Sequence, residues 1–201
     1  MFLRLSPHHY FKRDHHFYIC SFGGCGSWML AQYLSNFGTV HHVHSRKPPP
    51  FVTTVVEERF STVRTPYKHN TVIYIYRDPV AAMLSVDRRF DFATHLKNIE
   101  CADTSVTLEA LETSRKDLLG LAEFDANYTT RNQRNYDVVC VKYEDLFKSW
   151  SHLNHALHVY DSPRLYPKEK QTHTTRDTEG LKEAFSDLRG RIAKRPAVMV
   201  L

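Results

Sequence analysis

The sequence predicts an α/β domain with a mainly parallel central sheet flanked by helices, and three observations carry that expectation. Apolar runs at 17–22, 71–76 and 137–142 have hydrophobic residues in both alternating positions, as strands buried on two faces do. Segments of helical periodicity lie between them. Strands that alternate with helices are joined by crossovers, and crossovers set neighbouring strands parallel.

In order, residues 1–16 read as an N-terminal tail whose His8-His9 and His15-His16 pairs are solvated. The first strand, 17–22, ends in Gly23-Gly24-Cys25-Gly26-Ser27. A helix follows, because Leu30, Tyr33, Leu34 and Phe37 recur at i, i+3, i+4 and i+7 and Gly38 stops them. A weaker alternation at 39–44 gives a further strand, and 45–53, with Pro48-Pro49-Pro50, reads as a loop. After the strand at 71–76, Asp78 is placed to cap a helix that begins with Pro79. Further helices are expected around 106–126, 144–160 and 179–194, with a polar, proline-bearing loop at 161–178. With no repeat and no linker composition, residues 1–201 read as a single domain.

Composition narrows the class. A chain that is 42% hydrophobic and 24% charged is neither disordered nor fibrous. Its net charge of +5 and 13 histidines suit an anionic partner: a nucleotide, an acidic glycan, nucleic acid or a membrane surface. The aromatic–basic interleaving of nucleic-acid modules is missing, so nucleic acid is not an expected partner. Cys20, Cys25, Cys101 and Cys140 form no CxxC pair and no metal-ligand spacing, which points to a reducing compartment. No run reaches signal-peptide or transmembrane length, so a cytoplasmic protein without a membrane span is expected.

The chemistry concentrates at strand ends. Glycines after the first strand let the backbone approach a phosphate, and the amides of the next helix start would receive its charge. The GxxxxGK[ST] of nucleoside-triphosphate loops is not present. Arg77, leaving the strand at 71–76, offers a planar fork for phosphate, and Ser85 a hydroxyl on the helix beyond. Thr39-Val-His-His-Val-His44 holds candidate bases. In an extended strand His42 and His44 share a face and His41 takes the other. Only two of the three histidines can then converge, with no Cys or carboxylate at a helpful spacing, and no metal is expected.

Gly23–Ser27 after one strand, Arg77 after another, Ser85 eight residues on and VVCVKYEDL at 138–146 together resemble the sulfotransferase family. The match covers residues 17–37, 71–90 and 137–147, in the family's order. The resemblance implies a P-loop-like fold with 3′-phosphoadenosine-5′-phosphosulfate (PAPS) as donor and 3′,5′-ADP (PAP) as product. Gly23, Gly24, Cys25, Gly26 and Ser27 would form the phosphosulfate loop. Arg77 and Ser85 would grip the 3′-phosphate, and Tyr143 would lie near the adenine. Trp28 stands one position before the family's aromatic platform, where this chain has Met29.

Gly24 occupies the place of the family's loop lysine or arginine, which leaves Arg46 and Lys47 as candidate substitutes. The family's late basic segment is not evident, and Arg176, Arg189 and Arg191 are candidates for its role. His44 is the first candidate base and His42 the second, with Glu57 and Glu58 behind them. The expected function is sulfuryl transfer to a hydroxyl or amine of a glycan, protein or small molecule, the basic surface favouring an acidic glycan. A nucleotide-binding module of the same fold without transfer is the alternative. A P-loop kinase would need both its lysine and its magnesium-binding hydroxyl replaced.

Overall fold

A computed structural model describes residues 15–48, 69–131, 136–160, 163–167 and 178–201. The candidates Glu57, Glu58 and Arg176 lie outside the described residues, as do residues 1–14. The elements are β1 (His15–Cys20), α1 (Ser27–Leu34), β2 (Thr39–Val43), β3 (His69–Tyr76), α2 (Pro79–Arg89), α3 (Phe92–Asn98), α4 (Leu108–Ser114) and α5 (Leu121–Thr129). They continue with β4 (Val138–Lys142), α6 (Tyr143–Leu146), α7 (Trp150–Ala156), α8 (Glu179–Ala184), α9 (Ser186–Ala193) and β5 (Val198–Val200). Among the described residues no helix is long and apolar enough to cross a membrane.

Five strands form one sheet in the order β2-β1-β3-β4-β5. The β1–β2, β1–β3 and β3–β4 pairs are parallel, and β5 joins β4 antiparallel. The protein is thus an α/β fold with a mostly parallel sheet flanked by helices. Burial follows the order: Val72–Tyr76 of the central β3 are all buried, while β2 at the edge is only partly so. From β1 the chain passes to β2 on one side, and the next strand, β3, lies on the other. That reversal makes the gap between β1 and β3 the topological switch point, beyond whose carboxyl ends open α/β sheets receive ligands.

Several boundaries differ from the sequence expectation. β1 begins two residues early: His15 is 8% exposed and stacks on Phe17 at 5.6 Å, so His15 and His16 belong to the sheet, not to a solvated tail. The helix expected over 106–126 divides into α4 and α5, because Arg115 (φ 54°) and Gly120 (φ 62°) turn left-handed. The stretches at 144–160 and 179–194 likewise each form two short helices. Neither α3 nor β5 was expected. Helix α2 starts where its side chains signal it: Asp78 accepts from Ala81 N at 3.1 Å, and Pro79 opens the helix.

One face of the sheet is fastened by aromatics and a buried ion pair. Tyr74 stacks on Tyr128 at 4.7 Å and on Phe124 at 6.2 Å. Between those two residues of α5 sits Asp125, wholly buried and held by Arg195 at 2.7 and 2.6 Å. Arg195 also lies over the Tyr76 ring at 5.1 Å. This cluster ties α5 and the chain before β5 to the centre of the sheet.

Candidate functional site

Beyond β1 the backbone turns through Gly23 (φ 92°), Gly24 (φ 63°) and Gly26 (φ 78°), conformations that cost an L-residue about 1–2 kcal/mol each. Space is equally short at all three positions. A Cβ would come closer than 3.0 Å to the His95 ring at Gly23, to the Ala82 carbonyl at Gly24, and to the Tyr143 ring at Gly26. Helices α3, α2 and α6 therefore close on the loop from three directions. The Ser21 hydroxyl holds it from below, accepting from Gly23 N at 3.2 Å and donating to Ser27 Oγ at 3.1 Å. Gly26 caps α1 with no side-chain acceptor, and the first turn carries no acidic residue. Its leading amides are unclaimed by side chains, and the dipole gives that end positive character.

A cavity of about 240 Å³ opens at this end, lined on one side by the loop glycines, Ser27 and Trp28. His42 and His44 reach it from the end of β2, and Arg89, Asp91, Thr94 and His95 from the α2–α3 junction. His41 turns to the opposite face, stacked on Tyr18 at 4.6 Å, as alternation along the strand requires.

Hydrogen bonds settle two tautomers. His44 Nδ1 lies 2.9 Å from the Ser21 carbonyl, and a carbonyl only accepts. Nδ1 therefore carries a proton, and in the neutral ring this tautomer leaves the lone pair on Nε2. His95 Nε2 donates to the Phe22 carbonyl at 3.0 Å by the same logic. His42 Nε2 is 2.8 Å from Ser27 Oγ. Burial, and secondly the charge of His44, lower the His42 pKa to about 4, so it is neutral at physiological pH. The His95 pKa is also lowered, again mainly by burial. Among the described residues no group of three or more His, Cys, Asp or Glu is arranged to hold a metal ion.

Arg77 stands across the loop from the histidines. It donates through Nη1 to the Gly24 carbonyl at 3.3 Å, and its guanidinium lies over the Tyr143 ring at 4.7 Å. Its Nε sits 3.6 Å from Glu144 Oε1 and is buried without a hydrogen-bond partner. Ser85 is 4% exposed, and both its carbonyl and its hydroxyl are engaged by Arg89. Cys25 is buried, with its thiol donating to the Gly23 carbonyl at 2.8 Å, and burial holds its pKa well above the ordinary thiol value. Its backbone belongs to the loop, but its side chain points away from the cavity.

The two candidate cations are not brought to the cavity. Arg46 is a clasp: it donates to the carbonyls of Glu100 (3.2 Å), Leu119 (2.8 Å) and Gly120 (2.8 Å) and covers Phe124 at 5.5 Å. Lys47 is exposed beyond β2 and lines no part of the cavity. Arg189 pairs with Asp78 at 2.7 Å, and Arg191 lies between Asp125 and Asp187. Trp28, 65% exposed, sits 6.1 Å from His42 of β2. The sequence reading missed the whole α2–α3 side of the cavity, including Arg89, Asp91, Thr94 and His95. His95 belongs to the unexpected α3, and no local signal marks Arg89.

Compared with family models, curated proteins and solved structures, the chain matches none.

Proposed function

We propose that the protein binds 3′-phosphoadenosine-5′-phosphosulfate across the β1/β3 crevice and transfers its sulfuryl group to an acceptor hydroxyl or amine. One observation carries the reading: Arg77 leaves β3 in contact with the glycine loop, and its buried Nε, 3.6 Å from Glu144 Oε1, makes no hydrogen bond. An unsatisfied buried donor costs about 1–3 kcal/mol, and an anion beside the loop would relieve it. The donor would lie with its 5′-phosphosulfate on the loop amides and the start of α1. Arg77 would meet the 3′-phosphate and Tyr143 the adenine, with the Ser85 hydroxyl, now engaged by Arg89, in the next turns of α2. The P-loop-like character of Gly23–Ser27 belongs to this same proposal.

His44 then suits the base. Its Nε2 lone pair is oriented by the Nδ1–H bond to Ser21, and it lines the cavity on the acceptor side. In the transfer step the acceptor oxygen or nitrogen forms a bond to sulfur, and the bond from sulfur to the bridging oxygen breaks. The bonding pair goes to the departing PAP, and the acceptor proton goes to His44 Nε2. His42 is the weaker base, because its depressed pKa lowers proton affinity and its Nε2 is taken up with Ser27.

A second reading, a nucleotide-binding module without transfer, is favoured by the absence of a cation at Gly24. Incubation with sulfur-labelled PAPS separates the two without knowledge of the acceptor, because a transferase slowly hydrolyses its donor. Labelled sulfate and PAP released by the wild type and lost in His44→Ala support transfer. Tight PAP binding with no release and no labelled product supports the module.

A further inference from the structure

We infer that Arg89 is the oxyanion-binding cation of this cavity, a role that the loop itself cannot supply. In its application to sulfuryl transfer, this rests on the reading of Gly23–Ser27 as a phosphosulfate loop. A side chain at position 24 is excluded twice, by the left-handed φ of 63° and by the Ala82 carbonyl of α2 pressed against it. Arg46 is spent on three carbonyls, and Lys47 lies outside the cavity. The helix that displaces a side chain from position 24 provides the replacement. Ala82, Ser85 and Arg89 follow at i, i+3 and i+7, one stripe of α2 facing the loop.

Arg89 lines the cavity with Gly24, Gly26, Ser27 and His44. Its Nε donates to the Ser85 carbonyl at 3.1 Å and one Nη2 hydrogen reaches the Ser85 hydroxyl, so the guanidinium is aimed by its own helix. Of five donor hydrogens, two are used; Nη1 makes no hydrogen bond, and no carboxylate pairs with the group among the described residues. The nearest acid on the cavity wall, Asp91, is turned to cap α3 through Thr94 N at 2.8 Å. A guanidinium fixed at one edge and open at the other, opposite amides at a helix start, is a site for a tetrahedral oxyanion. During transfer it would neutralise charge on the bridging oxygen as the bond to sulfur breaks.

The test titrates inorganic sulfate and, separately, PAP into the wild type, Arg89→Ala, Arg89→Gln and the neighbouring control Arg88→Ala, with PAPS hydrolysis measured in parallel. Sulfate affinity should fall about tenfold or more in both Arg89 variants and stay unchanged in Arg88→Ala. PAPS hydrolysis should fall about a hundredfold. Arg89→Gln is shorter but keeps an uncharged amide donor on the same stem, and unfolding midpoints without ligand identify any variant that fails to fold. Sulfate bound equally by wild type and both variants, or not bound by the wild type, overturns the assignment of Arg89. Sulfate binding that depends on Arg89 with no binding of PAP upholds Arg89 and sinks the nucleotide reading instead.

Discussion

Restoring a lysine to position 24 should damage the protein rather than improve it. Gly24 sits at φ 63°, where any other L-residue costs about 1–2 kcal/mol. Its Cβ would come closer than 3.0 Å to the Ala82 carbonyl, a group fixed inside α2 that cannot yield alone. Overpacking of this kind costs about 1–3 kcal/mol. Gly24→Ala should therefore lose about 2–5 kcal/mol, and Gly24→Lys at least as much. For a domain of this size that is a melting temperature lower by roughly 4–20 °C. Urea titration with matched thermal melts reads both variants, and PAPS hydrolysis reads the consequence. A Gly24→Lys protein within about 0.5 kcal/mol of wild type, or one with faster transfer, would refute the steric reasoning and with it the need for a cation from α2.

Other expectations follow from single contacts. Asp125→Ala leaves Arg195 buried and unpaired, which should cost about 3–5 kcal/mol in urea unfolding; a loss under about 1 kcal/mol would show that the cluster is not holding the sheet. Arg46→Ala frees three carbonyls, so it should lower stability by about 1–3 kcal/mol, and PAP affinity should be unaltered once the variant is folded. His44→Ala should slow transfer about a hundredfold or more while PAP affinity is kept, and full activity would move the base elsewhere. The His42 proton has a sign that can be worked out: its pKa is about 4 folded against 6.5 unfolded. Between those values the unfolded chain binds the proton and the native state does not, so stability falls as pH drops from about 6.5 to about 4. The slope in that window should flatten in His42→Asn relative to wild type; identical slopes would contradict the burial assigned to His42.

Much of the fold was legible because its strands are buried on both faces. The runs behind β1, β3 and β4 carry apolar residues in both alternating positions, as strands covered on two faces do. β5 was not legible: three residues antiparallel on an edge leave no period to read. Helix α3 is short and starts after Phe90-Asp91, where the polar Thr94, His95 and Lys97 mask its buried Leu96. The division of α4 from α5 turns on Arg115 adopting φ 54°, a conformation its residue type does not announce. At the site, the glycines could be read because the turn beyond β1 takes positive φ at Gly23, Gly24 and Gly26, whereas Arg77 was marked only by its place at the end of β3 and by the family resemblance. Arg46 was misplaced because a loop arginine beside a strand end carries no mark of which carbonyls it will clasp 54 to 74 positions later. Arg89 escaped notice for the converse reason: its link to Gly24 runs through the packing of α2 against the loop.

Titration of PAP into wild-type protein and Arg77→Ala, beside ATP with magnesium, decides whether Arg77 and the glycine loop form a site for a 3′-phosphorylated nucleotide. The wild type should bind PAP saturably, lose about tenfold or more in affinity on removal of Arg77, and show no comparable binding of ATP with magnesium. Binding of ATP with magnesium alone, or PAP affinity unchanged in Arg77→Ala, would contradict that site.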